Sequence, residues 1–132
     1  MNTLHTLLLI GLIASSLACG YSSHATTPPQ PGVMPAITEL APDNVNSGSG
    51  ALTLTVNGSD FSTKSMVNWN GTAQTTTYVS AGQLTAAIAA SDVASPATVS
   101  VTVTNPGTAA TGLYGAGATT AETSNSMSFT IN

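Results

Sequence analysis

The sequence predicts an all-β fold, an antiparallel β-sandwich of about seven short strands. Three observations predict it. Apolar residues recur at every second position in several runs, and no stretch after Pro35 shows a convincing helical period. The alternate positions of each run carry small or hydroxylated residues, as in a sheet with one face buried and one wet. Gly, Pro, Asn and Asp separate the runs at short intervals, which is the sandwich pattern.

In chain order, residues 1–19 read as an address. "LHTLLLIGLIASSLACG" holds the only continuous apolar run. Leu7 to Ala14 is shorter than the ~20 residues of a membrane span and has the length of a signal-peptide core. Ser16-Leu17-Ala18 before Cys19 resembles the bacterial lipobox, whose cysteine is acylated and becomes the mature N-terminus. It departs from the usual form in lacking Lys or Arg before the apolar run and in the position of Leu17. Ser23-His24-Ala25 fits ordinary signal-peptidase cleavage and gives the competing reading, a freely secreted protein. Cys19 is the single cysteine, so no intrachain disulfide is available, and it is the candidate lipidation site. Both readings place the chain outside the cytoplasm, in the lipid-anchored case at the membrane of the cell envelope.

Residues 20–35 read as a linker. Prolines 28, 29, 31 and 35 favour extended polyproline II over helix, and the segment is expected to act as a semi-rigid spacer of roughly 40 Å. His24 has no second ligand nearby.

Residues 36–132 form the domain. A strand near Ala36–Leu40 precedes Pro42. Leu52, Leu54 and Val56 then alternate with Thr53 and Thr55, and Val67 and Trp69 share a face. Asn70-Gly71 is the best hairpin signal, expected to join Ser65–Trp69 to a strand around Thr75–Val79. Leu84, Ala86, Ile88 and Ala90 share a face, as do Val99, Val101 and Val103, and Met127, Phe129 and Ile131. Asn57-Gly58 reads as a turn, and Gly58-Ser59-Asp60 as a corner where the chain crosses between sheets. Asp60 is expected to cap local backbone N–H groups there, with Phe61 plugging the end of the sandwich. Asn105-Pro106-Gly107 stops the valine strand.

Composition excludes several functions. Of 132 residues 42% are hydrophobic and only 5% charged, which sets the chain apart from disordered proteins. Lys64 is the only cation among Lys and Arg, so no basic patch exists to hold nucleic acid or anionic lipid. After the linker there is no His, Cys or Arg, which removes the usual nucleophilic triads and the usual zinc sites. The acids are Glu39, Asp43, Asp60, Asp92 and Glu122, and the first four fall mostly at strand ends and turns, where solvated carboxylates are ordinary. A calcium site would need Asp43, Asn44 and Asn57 to converge on Asp60. The expectation is no catalytic residue, no metal and no cofactor.

The phrases "ITELAPDNVNSGSGALTLTVNGSDFS", "SMVNWNG", "TYVSAGQLTAAI", "SVTVTNPG" and "SNSMSFTI" together resemble the IPT/TIG family in its bacterial form, from about Pro35 to Asn132. The resemblance rests on the Pro42 turn, Gly58-x-x-Phe61, Trp69-Asn70-Gly71 and Thr104-Asn105-Pro106-Gly107, in that order. It implies an immunoglobulin-like sandwich of the E-set type. One departure stands out: Thr108 to Asn125 intervenes where the family usually has a short loop. That insertion is either a solvated, mobile loop or a binding loop with Leu113 and Tyr114 at its centre.

The leading functional expectation is a non-catalytic cell-envelope module for protein interaction or spacing, lipid-anchored through Cys19. A carbohydrate-binding module using Trp69 or Tyr114 is the alternative, although the parity of Trp69 favours the core. A third reading is a structural subunit that associates edge to edge, because its uncharged strands lack the lysines that blunt sheet edges. The expected partner is an extracytoplasmic protein or a polysaccharide, with no nucleic acid, and with the membrane reached only through the lipid.

Overall fold

The computed structural model describes residues 26–132. Strands dominate it: β1 (Ala36–Ala41), β2 (Asn44–Val45), β3 (Leu52–Ser59), β4 (Met66–Trp69), β5 (Thr72–Ala73), β6 (Thr75–Ser80), β7 (Gln83–Ile88), β8 (Ala97–Asn105), β9 (Glu122–Thr123) and β10 (Met127–Ile131). One sheet runs β1-β3-β7-β6, and the other β2-β10-β8-β4-β5 with β9 also against β8. Neighbouring strands are antiparallel except β2, which lies parallel to β10. All seven expected strands are present, and three two-residue segments, β2, β5 and β9, extend them. The result is an immunoglobulin-like β-sandwich.

The inward faces are those the alternation predicts. Leu54, Val56, Leu84, Ala86 and Ile88 from the first sheet meet Val67, Trp69, Val99, Val101, Val103, Phe129 and Ile131 from the second, all buried. Trp69 and Phe129 sit with ring centroids 4.9 Å apart and planes tilted by 57°, a favourable aromatic geometry. Ile37 and Leu40 are both buried although three residues apart, which strict alternation forbids. A register shift between Ile37 and Glu39 supplies the missing residue, so Thr38 is bulged and both apolar side chains face in. Val93, fully buried on a 3-10 turn (Ala90–Val93) between β7 and β8, joins the core. Nothing in its surroundings of Ser, Asp and Ala gave periodicity to reveal it.

Several local expectations need correction. Ala90 is exposed on the 3-10 turn, because β7 ends at Ile88. Asn57-Gly58 is not a turn but lies inside β3, opposite β1. Asn70 and Gly71 do turn, with φ of 50° and 84°, but the hairpin joins β4 to Thr72–Ala73 rather than to Thr75–Val79. At Gln74 the chain leaves the second sheet, and β6 pairs with β7 in the first. The switch is held by the Gln74 N–H donating to the Val67 carbonyl and the Val67 N–H to Thr76 Oγ1, both at 2.8–2.9 Å.

Gly58 matters for proximity rather than for turning. A Cβ there would collide with the Ala36 carbonyl oxygen and lie 2.6 Å from the Phe61 ring. The obstacle includes backbone of a paired strand, so relief requires β1 to move. Gly58→Ala is expected to cost about 1–3 kcal/mol of stability, the range for overpacking a closed site, as read from urea unfolding.

Candidate functional site

The end of the sandwich where β3 leaves its sheet is organised by one buried amide. The corner comes at Asp60, whose φ of 60° is a left-handed conformation that Asp tolerates better than most residues. Asp60 contributes that backbone conformation. Among the described residues its exposed carboxylate takes no backbone N–H, contrary to the capping role expected of it. Phe61 then turns inward and is buried, as expected.

Asn105, last residue of β8, is only 6% exposed. Its Nδ2 donates to the carbonyls of Asp60 and Val33, each at 2.8 Å. Its Oδ1 accepts from the Ser65 hydroxyl and from the Ser62 N–H. One side chain thus ties β8, the corner and the segment before β1. The sequence marked Asn105 only as a strand stop; the side-chain role depends on segments 40 to 72 residues away and has no local signal.

A second amide closes the flank. Asn125 Oδ1 accepts from the Ile37 N–H at 2.8 Å, and its Nδ2 donates to the Ile37 carbonyl at 3.0 Å. The side chain therefore satisfies both backbone groups of Ile37 at the outer edge of β1, as a neighbouring strand would.

The Thr108–Asn125 insertion is internally bonded rather than a loose loop. The Thr119 N–H donates to the Thr108 carbonyl, and the Thr108 N–H to Thr119 Oγ1. Gly112 N–H donates to the Ala116 carbonyl, closing a tight turn around Leu113–Gly115. Beyond it, β9 returns to pair with β8 through Thr104–Thr123 and Asn105–Glu122. The described part of the linker packs on this loop: Thr27 N–H donates to the Tyr114 carbonyl, Gln30 N–H to Ala118, and Thr120 N–H to the Gln30 carbonyl. Residues 27–33 are thus bound to the domain, so they do not serve as the free spacer their prolines suggested. At the tip Leu113 is 79% and Tyr114 51% exposed, with Tyr114 itself at a φ of 59°.

The other candidate residues are placed as follows. Trp69 is 5% exposed and packed on Phe129. A ring buried to that extent offers no face on which a sugar can stack, so the platform role is corrected to a core role. Its edge does border a shallow cleft with Asn70, Gln74 and Asp92. Asp43 and Asp60 lie beyond opposite ends of β1, separated by about 17 Å of strand, so the calcium set does not converge. Asn57 is occupied instead by Glu39 and Gln83. Glu39 and Asp43 border one cleft. Each is exposed and accepts from a neighbouring amide, Asn57 and Asn44 respectively, as solvated surface acids commonly do. Among the described residues no group of three or more His, Cys, Asp or Glu could hold a metal ion. No helix among them is long and apolar enough to cross a membrane. Cys19 and His24 lie outside the described residues.

Two shallow clefts meet at the Asn105 end. One is lined by Ser62, Lys64, Pro106 and Thr111 and has a volume of roughly 440 Å³, open to solvent; the other runs under Gly32 and Val33. Ser62, Pro106 and Thr108 border both. These are open grooves between loops.

Comparison with curated proteins and with solved structures returned no match. The IPT/TIG domain model matches residues 35–131, from the proline before β1 to the last residue of β10. Domains of this family are generally non-catalytic, and the Asn70-Gly71 turn and the Asp60 corner now have their structural counterparts. The chain belongs to the IPT/TIG family of immunoglobulin-like domains.

Proposed function

We propose that this protein is a non-catalytic, extracytoplasmic interaction module, held at the cell envelope by a lipid on Cys19, whose contact surface is the Leu113–Tyr114 tip. The observation that carries the reading is the bonded insertion. A loop of this length stays ordered only when its backbone groups find partners, and here they do, within the loop and on residues 27–30. That framework spends order on displaying a leucine and a tyrosine to solvent. Exposed apolar side chains on a fixed loop are what a protein partner buries, and aromatic residues dominate such contacts.

A photo-crosslinking residue placed at Leu113 in cells tests the contact. Discrete adducts are expected, and they should vanish when Tyr114 is also changed to Ser. Adducts that are absent, or indifferent to Tyr114, overturn the assignment.

Anchoring is supported by Ser16-Leu17-Ala18-Cys19. One acyl chain binds a membrane only marginally, so stable retention requires the two or more that a bacterial lipoprotein carries. With residues from Thr27 onward bound to the insertion, the chain from Cys19 to Thr27 reaches at most about 30 Å, which keeps the module close to the bilayer. Cys19→Ala is expected to move the protein from the membrane fraction to the soluble one, or to leave uncleaved precursor, with the fold unchanged. A wild-type protein found soluble and beginning at Thr26 would rule the lipid out and leave a secreted module.

A further inference from the structure

The dipeptide Asn-Gly occurs twice in the chain, as Asn57-Gly58 and as Asn70-Gly71, and the fold treats the two copies differently. This dipeptide carries an internal reaction. The glycine nitrogen attacks the asparagine side-chain carbonyl carbon, its proton leaves with the side-chain nitrogen as ammonia, and a five-membered succinimide remains. Glycine permits this because it has no Cβ to crowd the ring. Water then opens the ring at either carbonyl, giving aspartate or isoaspartate, the second with its main chain rerouted through the side-chain methylene. Water is the only co-reactant. Ring closure needs a free asparagine amide, a glycine N–H released from any acceptor, and rotation about the asparagine Cα–C bond.

At Asn57-Gly58 all three conditions fail. Asn57 Nδ2 donates to Glu39 Oε2 at 3.3 Å, and its Oδ1 accepts from Gln83 Nε2 at 3.0 Å. The Gly58 N–H donates to the Gly82 carbonyl at 2.9 Å. Both residues lie in β3, which is paired with β1 on one side and β7 on the other, so the backbone rotates only when the sheet comes apart.

At Asn70-Gly71 the first two conditions hold. Among the described residues neither the Asn70 side chain nor the Gly71 N–H has a hydrogen-bond partner. The Asn70 N–H donates to the Ser100 carbonyl, but that group takes no part in the reaction. Asn70 is exposed, and nothing lies within 4 Å of where a Cβ on Gly71 would stand. Only rotation is restrained. In the left-handed conformation of Asn70, where ψ is about +47°, the glycine nitrogen lies opposite Cβ across the Cα–C bond. The turn must therefore open before the ring can close. That restraint is slight, because β5 has two residues, both exposed, and ends its sheet; β4 keeps β8 when β5 lifts away. Such an edge opens locally far more often than a central strand does.

We propose that Asn70 is a self-modifying site of the folded protein, converted to aspartate and isoaspartate through opening of the β4–β5 hairpin, while Asn57 is preserved. The product sets a carboxylate, in place of a neutral amide, on the cleft that Gln74 and Asp92 also line. The site is independent of the Leu113–Tyr114 contact.

Ageing the purified full-length chain in mildly alkaline buffer tests it. Pepsin digestion in acid stops the reaction, and electron-transfer fragmentation separates isoaspartate from aspartate. In the folded protein Asn70 is expected to convert at least about a hundredfold faster than Asn57. In concentrated urea the two should convert at similar rates, since each then precedes a glycine in an open chain. Low urea reads the gate itself. The response to denaturant scales with the surface that opening exposes. Sub-denaturing urea should thus leave the Asn70 rate nearly flat and raise the Asn57 rate steeply. The proposal is overturned by equal rates in the folded protein, or by an Asn70 that stays intact there while the unfolded chain converts. Equal urea dependence at the two sites also overturns it, because Asn70 would then react only through global unfolding.

Discussion

Val101→Asp is expected to abolish cooperative folding or to cost more than about 4 kcal/mol, whereas Thr102→Asp, one residue on, should cost less than about 1 kcal/mol. Val101 is fully buried at the centre of β8, with Trp69 opposite on β4 and Met127 on β10. Both cross-strand neighbours, Trp69 and Met127, belong to the inner face, and no cation stands among the residues of the core cluster. An aspartate there loses its hydration and gains no partner. Thr102 points the other way, is only partly buried, and lies beside the Asn68 amide, which donates to its hydroxyl at 3.4 Å. A carboxylate at 102 keeps that donor and its water. Urea unfolding of the purified domain, followed by Trp69 fluorescence, separates the two variants. Equal losses would mean that the register of β8 is wrong, and with it the inward face of the second sheet.

That comparison also shows which parts of the structure the sequence exposes. A β-strand projects side chains alternately, so an apolar–hydroxyl alternation is a direct record of the burial of Leu54, Leu84, Val101 and Phe129. The Asn70-Gly71 turn is equally local, since positive φ at two successive residues restricts which residue types fit. Three kinds of feature escaped. The bulge that brings both Ile37 and Leu40 inward depends on what β3 presents, not on β1. The sheet switch at Gln74 depends on Val67 and Thr76. Gly58, read as a turn, is a glycine because the Ala36 carbonyl passes too close for a Cβ. Each is fixed by a partner distant in sequence, and a reading of neighbours along the chain has no access to it. The candidate contact surface divides in the same way. Leu113 and Tyr114 were visible as apolar residues in a Gly- and Ala-rich segment, but the bonds that hold them reach back to Thr27 and Gln30.

Asn105→Leu is expected to be the other severe variant, with a loss of about 2–3 kcal/mol despite near-equal side-chain size. The energy is in what the amide leaves behind. Removing it strands the carbonyls of Val33 and Asp60 and withdraws the acceptor from the Ser65 hydroxyl. A buried polar group left without a partner costs about 1–3 kcal/mol. Val33 and Asp60 are exposed residues whose carbonyls regain water in part, and the Ser65 hydroxyl keeps Ser62 Oγ at 3.2 Å. The three losses together therefore amount to the upper part of that range. Ser62 is spared in part, because its N–H also donates to Ser65 Oγ at 2.7 Å. Asn105→Asp should fare no better. Its oxygens accept, but nothing donates to the two carbonyls, and a charge is placed at a site only 6% exposed. The loss should also have a location. Val33 is the last point at which the segment before β1 is bonded to the sandwich, and Gln30 and Thr27 are bonded only to the insertion. Hydrogen exchange in a chain beginning at Thr26 should therefore quicken at residues 27–33 and 114–120 of Asn105→Leu, under conditions where Leu54 and Val101 remain protected. Uniform quickening across the domain would show that Asn105 stabilises the sandwich as a whole and does not couple the N-terminal segment to the exposed tip.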